Sequence, residues 1–228
     1  MNNPLVSKKV EGKFVAESGD RPMESILRNN REWAKSVKSR YPDFFEQIAK
    51  SQQPKILWIG CSDSRVPAEQ ITQLGPGELF VARNIANVVN NTDLSVLSVL
   101  QYAVEVLKVE HVVICGHYNC GGVAAACGHG QFGLIDNWLR CIKDVYQTNA
   151  SELDKLANDQ KIRRLVELNV LNSVKNVANT TIVQNAWAKE QSVTVHGWVY
   201  DLSTGMIKDL EASQANVGCV SKIFKYNH

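Results

Sequence analysis

The sequence predicts an α/β fold: a mainly parallel central sheet flanked by helices, with an antiparallel edge strand. Three observations carry this. Near-continuous apolar runs at 55–60, 78–82 and 111–116 have the length and composition of strands buried on both faces. Stretches with helical spacing of apolar residues lie between them. Residues 192–200 alternate instead, through Val193, Val195, Gly197 and Val199. The turn Ser203-Thr-Gly205 then leads into a short returning run at 206–210, which places the last pair as a hairpin on the sheet edge.

Residues 1–21 mix charge, Gly and Pro without a sustained period and read as an arm; residues 22–228 read as one domain. A helix begins at Pro22, with Ile26, Trp33 and Val37 on one face, and breaks at Tyr41-Pro42. A second helix follows over 43–51, its stripe formed by Phe44, Phe45 and Ile48. The stripe over 23–40 serves either this chain's own core or a surface on a second subunit. After the first strand, Pro67 stands near the first turn of a short helix, and Gly75-Pro-Gly77 turns into the second strand. Asp93 can cap a helix carrying Leu97, Leu100, Val104 and Leu107. Gly121-Gly122 opens the next helix after the third strand. Helices are expected over 132–146, 151–156, 162–179 and 182–190, with no linker, internal repeat or low-complexity segment.

With 228 residues the chain can bury one sizeable core. Lys plus Arg total 25 against 23 Asp plus Glu, which argues against a dedicated nucleic-acid surface. No apolar run approaches the roughly 20 residues of a membrane span. No secretory or transit signal is evident in the first residues, and the expectation is a cytoplasmic protein. Of six cysteines, Cys115 and Cys127 read as small buried side chains, Cys141 and Cys219 carry no motif, and Cys61 and Cys120 stand beside candidate metal ligands. A chain of this size does not need a disulfide scaffold.

The chemistry concentrates at two strand ends. Trp58-Ile-Gly-Cys-Ser-Asp-Ser-Arg65 closes the first apolar run, and His117-Tyr-Asn-Cys120-Gly-Gly122 closes the third. Cys61, His117 and Cys120 offer two thiolates and an imidazole, a set suited to one Zn²⁺ per chain, and three protein ligands leave a fourth position open. That is the count of a catalytic zinc site. Asp63 and Arg65 follow Cys61 by two and four residues. In an extended stretch such side chains share a face, so a guanidinium can hold the carboxylate bidentately. In a parallel sheet, ligands gather beyond the carboxyl ends of the strands, which is where these residues fall. His111, at the start of the third strand, reads as a satisfied structural histidine.

These segments closely resemble the signature of the β-class carbonic anhydrases, C-x-D-x-R followed by H-x-x-C-G-G. The resemblance extends over 57–65, 78–87, 101–122 and 196–200. It implies reversible hydration of CO₂ to bicarbonate and a proton by zinc-bound hydroxide. Asp63 and Arg65 would be the catalytic dyad, with Asp63 a possible fourth zinc ligand in a closed state. It implies substrate contacts from Gln52, whose counterpart often acts across a subunit interface, and from Gly121. Homodimers or dimer-of-dimers tetramers are implied, with the N-terminal helices packed on a partner subunit. Trp58, Arg83 and Tyr200 match the non-catalytic bicarbonate site of the family's bicarbonate-regulated subgroup, where bicarbonate favours the state with Asp on zinc. They read equally as two core aromatics and a strand-end charge. Rival readings are hydrolysis of another small cumulene, CS₂ or COS, and a low-activity bicarbonate sensor. Loops 124–138 would decide substrate access.

Overall fold

The computed structural model describes residues 23–227; the arm expected over 1–21 lies outside the described residues. Two helices come first. α1 (Met23–Arg40) has Glu24 in its first turn and Lys38 and Arg40 in its last, which suits the helix dipole. It stops just ahead of Pro42. α2 (Phe44–Lys50) follows. Trp33 and Phe45 meet edge-on at 5.6 Å, so the pair pack on each other. Val37 is the one buried residue of α1, and α2 has none.

The sheet is then laid down as β1 (Ile56–Cys61), α3 (Ala68–Thr72), β2 (Leu79–Asn84), α4 (Leu94–Gln101) and β3 (His111–His117). α5 (Gly121–Cys127), α6 (Ile135–Thr148), α7 (Ala150–Leu153), α8 (Asn158–Ala178) and α9 (Thr181–Ala188) come next, before β4 (Thr194–Asp201) and β5 (Met206–Asp209). The strand order is β2-β1-β3-β4-β5. All pairings are parallel except β4 with β5. The expected architecture is therefore the observed one.

Several boundaries move for physical reasons. β2 runs two residues further than the apolar run, because Arg83 and Asn84 still pair with Gly60 and Cys61. The helix capped by Asp93, whose carboxylate accepts from the Ser95 N–H, does not stay α-helical. It widens into a π turn, Tyr102–Val106, and leaves through Lys108 at φ 57. The helix expected from 132 starts at Ile135, because the Asp136 carboxylate accepts the N–H groups of Phe132 and Gly133 and holds them outside it.

The sheet is covered on both faces, as expected, but not equally. Leu57, Ile59, Cys61, Val112, Ile114, Val195 and Val199 point to a thick layer drawn from α4, α5, α6, α8 and α9. Trp58, Val113 and Cys115 point the other way, where α3 supplies Ala68 and Ile71, and Trp198, Tyr200 and Ile207 stay half-buried. Chain order reverses between β1 and β3, since the chain leaves β1 toward β2 and leaves β3 toward β4. That is the topological switch point, where ligands bind outside the strand ends of open α/β sheets.

Candidate metal centre

β1 and β3 end side by side at this point, with Gly60 in register with Cys115. Cys61 closes β1, His117 closes β3, and Cys120 stands just ahead of α5. Their three ligand atoms lie within 4.8 Å of one another, and all three residues are buried. Sγ of Cys61 and Sγ of Cys120 are 3.9 Å apart. Two sulfurs on a tetrahedral Zn²⁺, each at about 2.3 Å, would stand about 3.8 Å apart. His117 Nδ1 lies 2.9 Å from the Tyr118 carbonyl. A carbonyl only accepts, so Nδ1 carries the proton and Nε2 presents its lone pair to the cluster. Nε2 is buried without a hydrogen-bond partner, a costly state for a polar atom. An orphaned imidazole nitrogen aimed at two sulfurs fits a divalent cation of the zinc type.

The thiols are unequal. The Sγ–Sγ hydrogen bond to Cys120 pulls the Cys61 thiol down to about 4; burial opposes this, while His117 and the N–H groups of Asp63 and Ala86 help it. The same bond and burial push Cys120 up. A cation bound here would displace the thiol protons. The Ala86 N–H reaches Cys61 Sγ at 3.3 Å.

Asp63 faces the cluster, its Oδ2 3.7 Å from His117 Nε2. Arg65 holds it as a fork: Nε donates to Oδ1 at 2.9 Å and Nη2 to Oδ2 at 2.7 Å. The Arg65 N–H adds a third bond to Oδ1 at 2.9 Å. The Arg65 hydrogen bonds hold the Asp63 carboxyl well below the usual carboxylate range. The expected bidentate pair is what the structure contains.

Other expected residues fall as follows. Gly121 opens α5, and a Cβ there would meet open space. Gly122 does not have that freedom: its Cβ would lie 2.9 Å from Ile85 Cγ2 and 3.3 Å from the Ala86 Cβ. Gln52 is exposed on the link between α2 and β1 and does not join the buried cluster of its own chain. Trp58, Arg83 and Tyr200 project from the face opposite Cys61. The Trp58 ring covers Gly60, whose added Cβ would come within 2.5 Å of the indole Nε1. Tyr200 pairs in register with His117. Arg83 donates from Nε to the Cys61 carbonyl at 2.8 Å and from Nη2 to the Asp63 carbonyl at 2.5 Å. It therefore straps the turn that carries Asp63. His111 is satisfied, its Nδ1 3.1 Å from His196 Nε2.

Sequence reasoning missed the support behind His117. The Tyr118 hydroxyl donates to Glu167 Oε1 at 2.7 Å, Lys208 reaches the same oxygen at 2.7 Å, and Arg164 takes Oε2 at 2.9 Å. The Arg163 guanidinium stacks on the Tyr118 ring at 3.6 Å. Arg163, Arg164 and Glu167 stand close together on α8, but nothing local says that they turn toward β3.

A mainly parallel α/β sheet with a buried Cys-His-Cys set at its switch point defines an α/β protein with a group that could hold a metal ion. The comparisons narrow this. The family model described as carbonic anhydrase matches residues 56–207. A carbonic anhydrase of Emericella nidulans is 48% identical over 199 residues, covering 87% of each chain. Among solved structures, a Coccomyxa β-carbonic anhydrase in complex with acetazolamide superposes with a TM-score of 0.83 at 39% identity, covering 87% of this chain and 90% of that one. One of two tetrameric β-carbonic anhydrases from Sordaria macrospora gives 0.81 at 40% identity, covering 85% and 98%. The chain belongs to the carbonic anhydrase family, in its β class, and is a carbonic anhydrase enzyme.

Proposed function

We propose that this enzyme hydrates CO₂ reversibly to bicarbonate and a proton at a single Zn²⁺ held by Cys61, His117 and Cys120. The observation that carries the reading is the buried, unpartnered Nε2 of His117 facing two sulfurs. Zn²⁺ supplies a Lewis acid that makes a water molecule nucleophilic near neutral pH. Two thiolate ligands make it a weaker Lewis acid than three imidazoles would, which favours activity on the alkaline side. Asp63, beside the cluster, would accept a hydrogen bond from a water held there and so orient it toward CO₂. Arg65 keeps that carboxylate ionised and directed by occupying both of its oxygens. Release of Asp63 from Arg65 would let it close the fourth position itself.

A dimer completes the site in this reading. α1 leaves Met23, Ile26, Leu27 and Trp33 exposed, an apolar stripe that no other described residue of the chain buries. A second copy of the chain is the partner, and Gln52 would then reach the neighbouring site. Zinc-replete protein should hydrate CO₂ with a rate that climbs from neutral to alkaline pH, measured by stopped-flow. COS or CS₂ turnover without CO₂ turnover would favour the other cumulene hydrolases, and no turnover of any of them would leave the sensor reading.

The bicarbonate-regulated reading rests on Arg83. Its bonds to the Cys61 and Asp63 carbonyls join the Trp58–Arg83–Tyr200 face to the turn bearing the dyad. An anion that drew the guanidinium away would loosen that turn. Bicarbonate should then inhibit the enzyme near neutral pH, and Arg83→Ala should abolish the inhibition. Activity indifferent to bicarbonate contradicts this second reading alone.

A further inference from the structure

Behind the cluster, the chain adopts a conformation that needs holding. Ala86 has φ 61 and Asn87 φ 46, two successive non-glycine residues in the left-handed region. Asn adopts this region more readily than Ala, and an alanine persists in it only where the surroundings over-determine it. The surroundings here are three polar side chains on one face of α8, spaced by four and three residues. Asn169 Nδ2 donates to the Ala86 carbonyl at 2.8 Å. Ser173 Oγ donates to the Asn87 carbonyl at 3.4 Å and accepts the Val89 N–H at 3.2 Å. Asn176 Nδ2 donates to the Val89 carbonyl at 2.8 Å. Asn169 and Ser173 are 2% and 1% exposed, buried in the thick helical layer.

The conformation these residues hold aims one donor. With Ala86 left-handed, its N–H points at Cys61 Sγ, while the Ala86 Cβ packs over Gly122 at the start of α5. Partners beyond the ligands orient the ligand atoms and tune the metal. An N–H on a thiolate sulfur also draws electron density from it, so the sulfur donates less to a cation.

We infer that Asn169 is a positioning residue for the metal centre, fixing the Ala86 N–H on the Cys61 sulfur through its bond to the Ala86 carbonyl. This rests on the zinc reading above. Ser173 and Asn176 hold the following residues, so their removal should loosen the segment without moving that donor as directly.

The unsubstituted protein, loaded with a spin-active cadmium isotope, tests the geometry without any variant. The amide proton of Ala86 should show scalar coupling to the bound cadmium through the sulfur; its absence in a cadmium-loaded sample overturns the inference. Failure to take up cadmium or zinc at all overturns the metal reading itself, and the two failures are therefore distinct. Asn169→Ala should abolish the coupling, shift the sulfur-to-metal charge-transfer band of the cobalt-loaded protein to longer wavelength, and weaken zinc affinity by about 10–100-fold. Asn176→Ala, losing a bond of equal length, should leave coupling and band in place. If both variants lose zinc affinity only in step with their melting temperatures, the amide is merely structural and the inference is overturned.

Discussion

Both faces of the central sheet carry buried apolar side chains, yet among the described residues only one is covered by a full layer of helices. On the first, five helices bury Leu57, Ile59, Ile114 and Val195 to the last few per cent of their surface. On the second, α3 covers Trp58 and Val113, while Trp198, Tyr200 and Ile207 remain half-buried. The Cys61, His117 and Cys120 cluster lies at the carboxyl ends of β1 and β3, braced by α8. The second side and the exposed stripe of α1 are what a second subunit would use. Pre-organisation of the ligands is thus intramolecular, and the proposed assembly supplies the rest of the pocket.

Substitutions around this cluster should cost most. Cys120→Ser should bring CO₂ hydration to background and lower zinc content, read by stopped-flow and metal analysis, because the thiolate set is broken. Asp63→Asn retains shape but loses the charge that Arg65 grips, and should slow turnover by about 10²–10⁴-fold at unchanged zinc content. Gly122→Ala forces a Cβ against Ile85 and Ala86 and should destabilise the fold by about 1–3 kcal/mol in denaturant unfolding.

Glu167 gives a smaller, pH-dependent effect. Burial would raise its carboxyl, but the hydrogen bonds from Lys208, Tyr118 and Arg164 outweigh it and hold the group below its ordinary value of 4.5. A depressed carboxylate stabilises the fold fully above its unfolded value, about 4.3, and loses that contribution as pH falls through the folded value. Glu167→Gln should cost about 1–3 kcal/mol at neutral pH and flatten the decline of stability on the acid side. On the exposed stripe of α1, Trp33→Asp should cost the fold of one chain only about 0.5–1.5 kcal/mol, the worth of its edge-on contact with Phe45. It should, however, lower the mass seen in light scattering; an unchanged mass would contradict the role given to α1.

The same contrast explains what was readable from sequence. Strand ends and the clustering of Cys61, His117 and Cys120 were legible because apolar runs and the motifs that close them are local signals. The Asp63–Arg65 fork was legible because two residues separate its members. The left-handed turn at Ala86 and Asn87 was not, since neither is glycine and what holds them comes from α8, 83 or more residues away. Likewise, Asn169 reads in sequence as one polar residue among Leu165, Val166, Leu168 and Val170, and only the packed helix shows what it donates to. That both faces are covered was legible in the apolar strands, but how thickly each is covered was not, because strand composition records burial and not what buries the face.

The most direct test of the zinc account is to strip the protein with a chelator and return Zn²⁺ in steps, following CO₂ hydration at each. Activity should be absent in the stripped protein and rise linearly to a plateau at one Zn²⁺ per chain, with the Cys120→Ser variant unresponsive. Full activity without metal, or restoration that ignores Cys120, would contradict it.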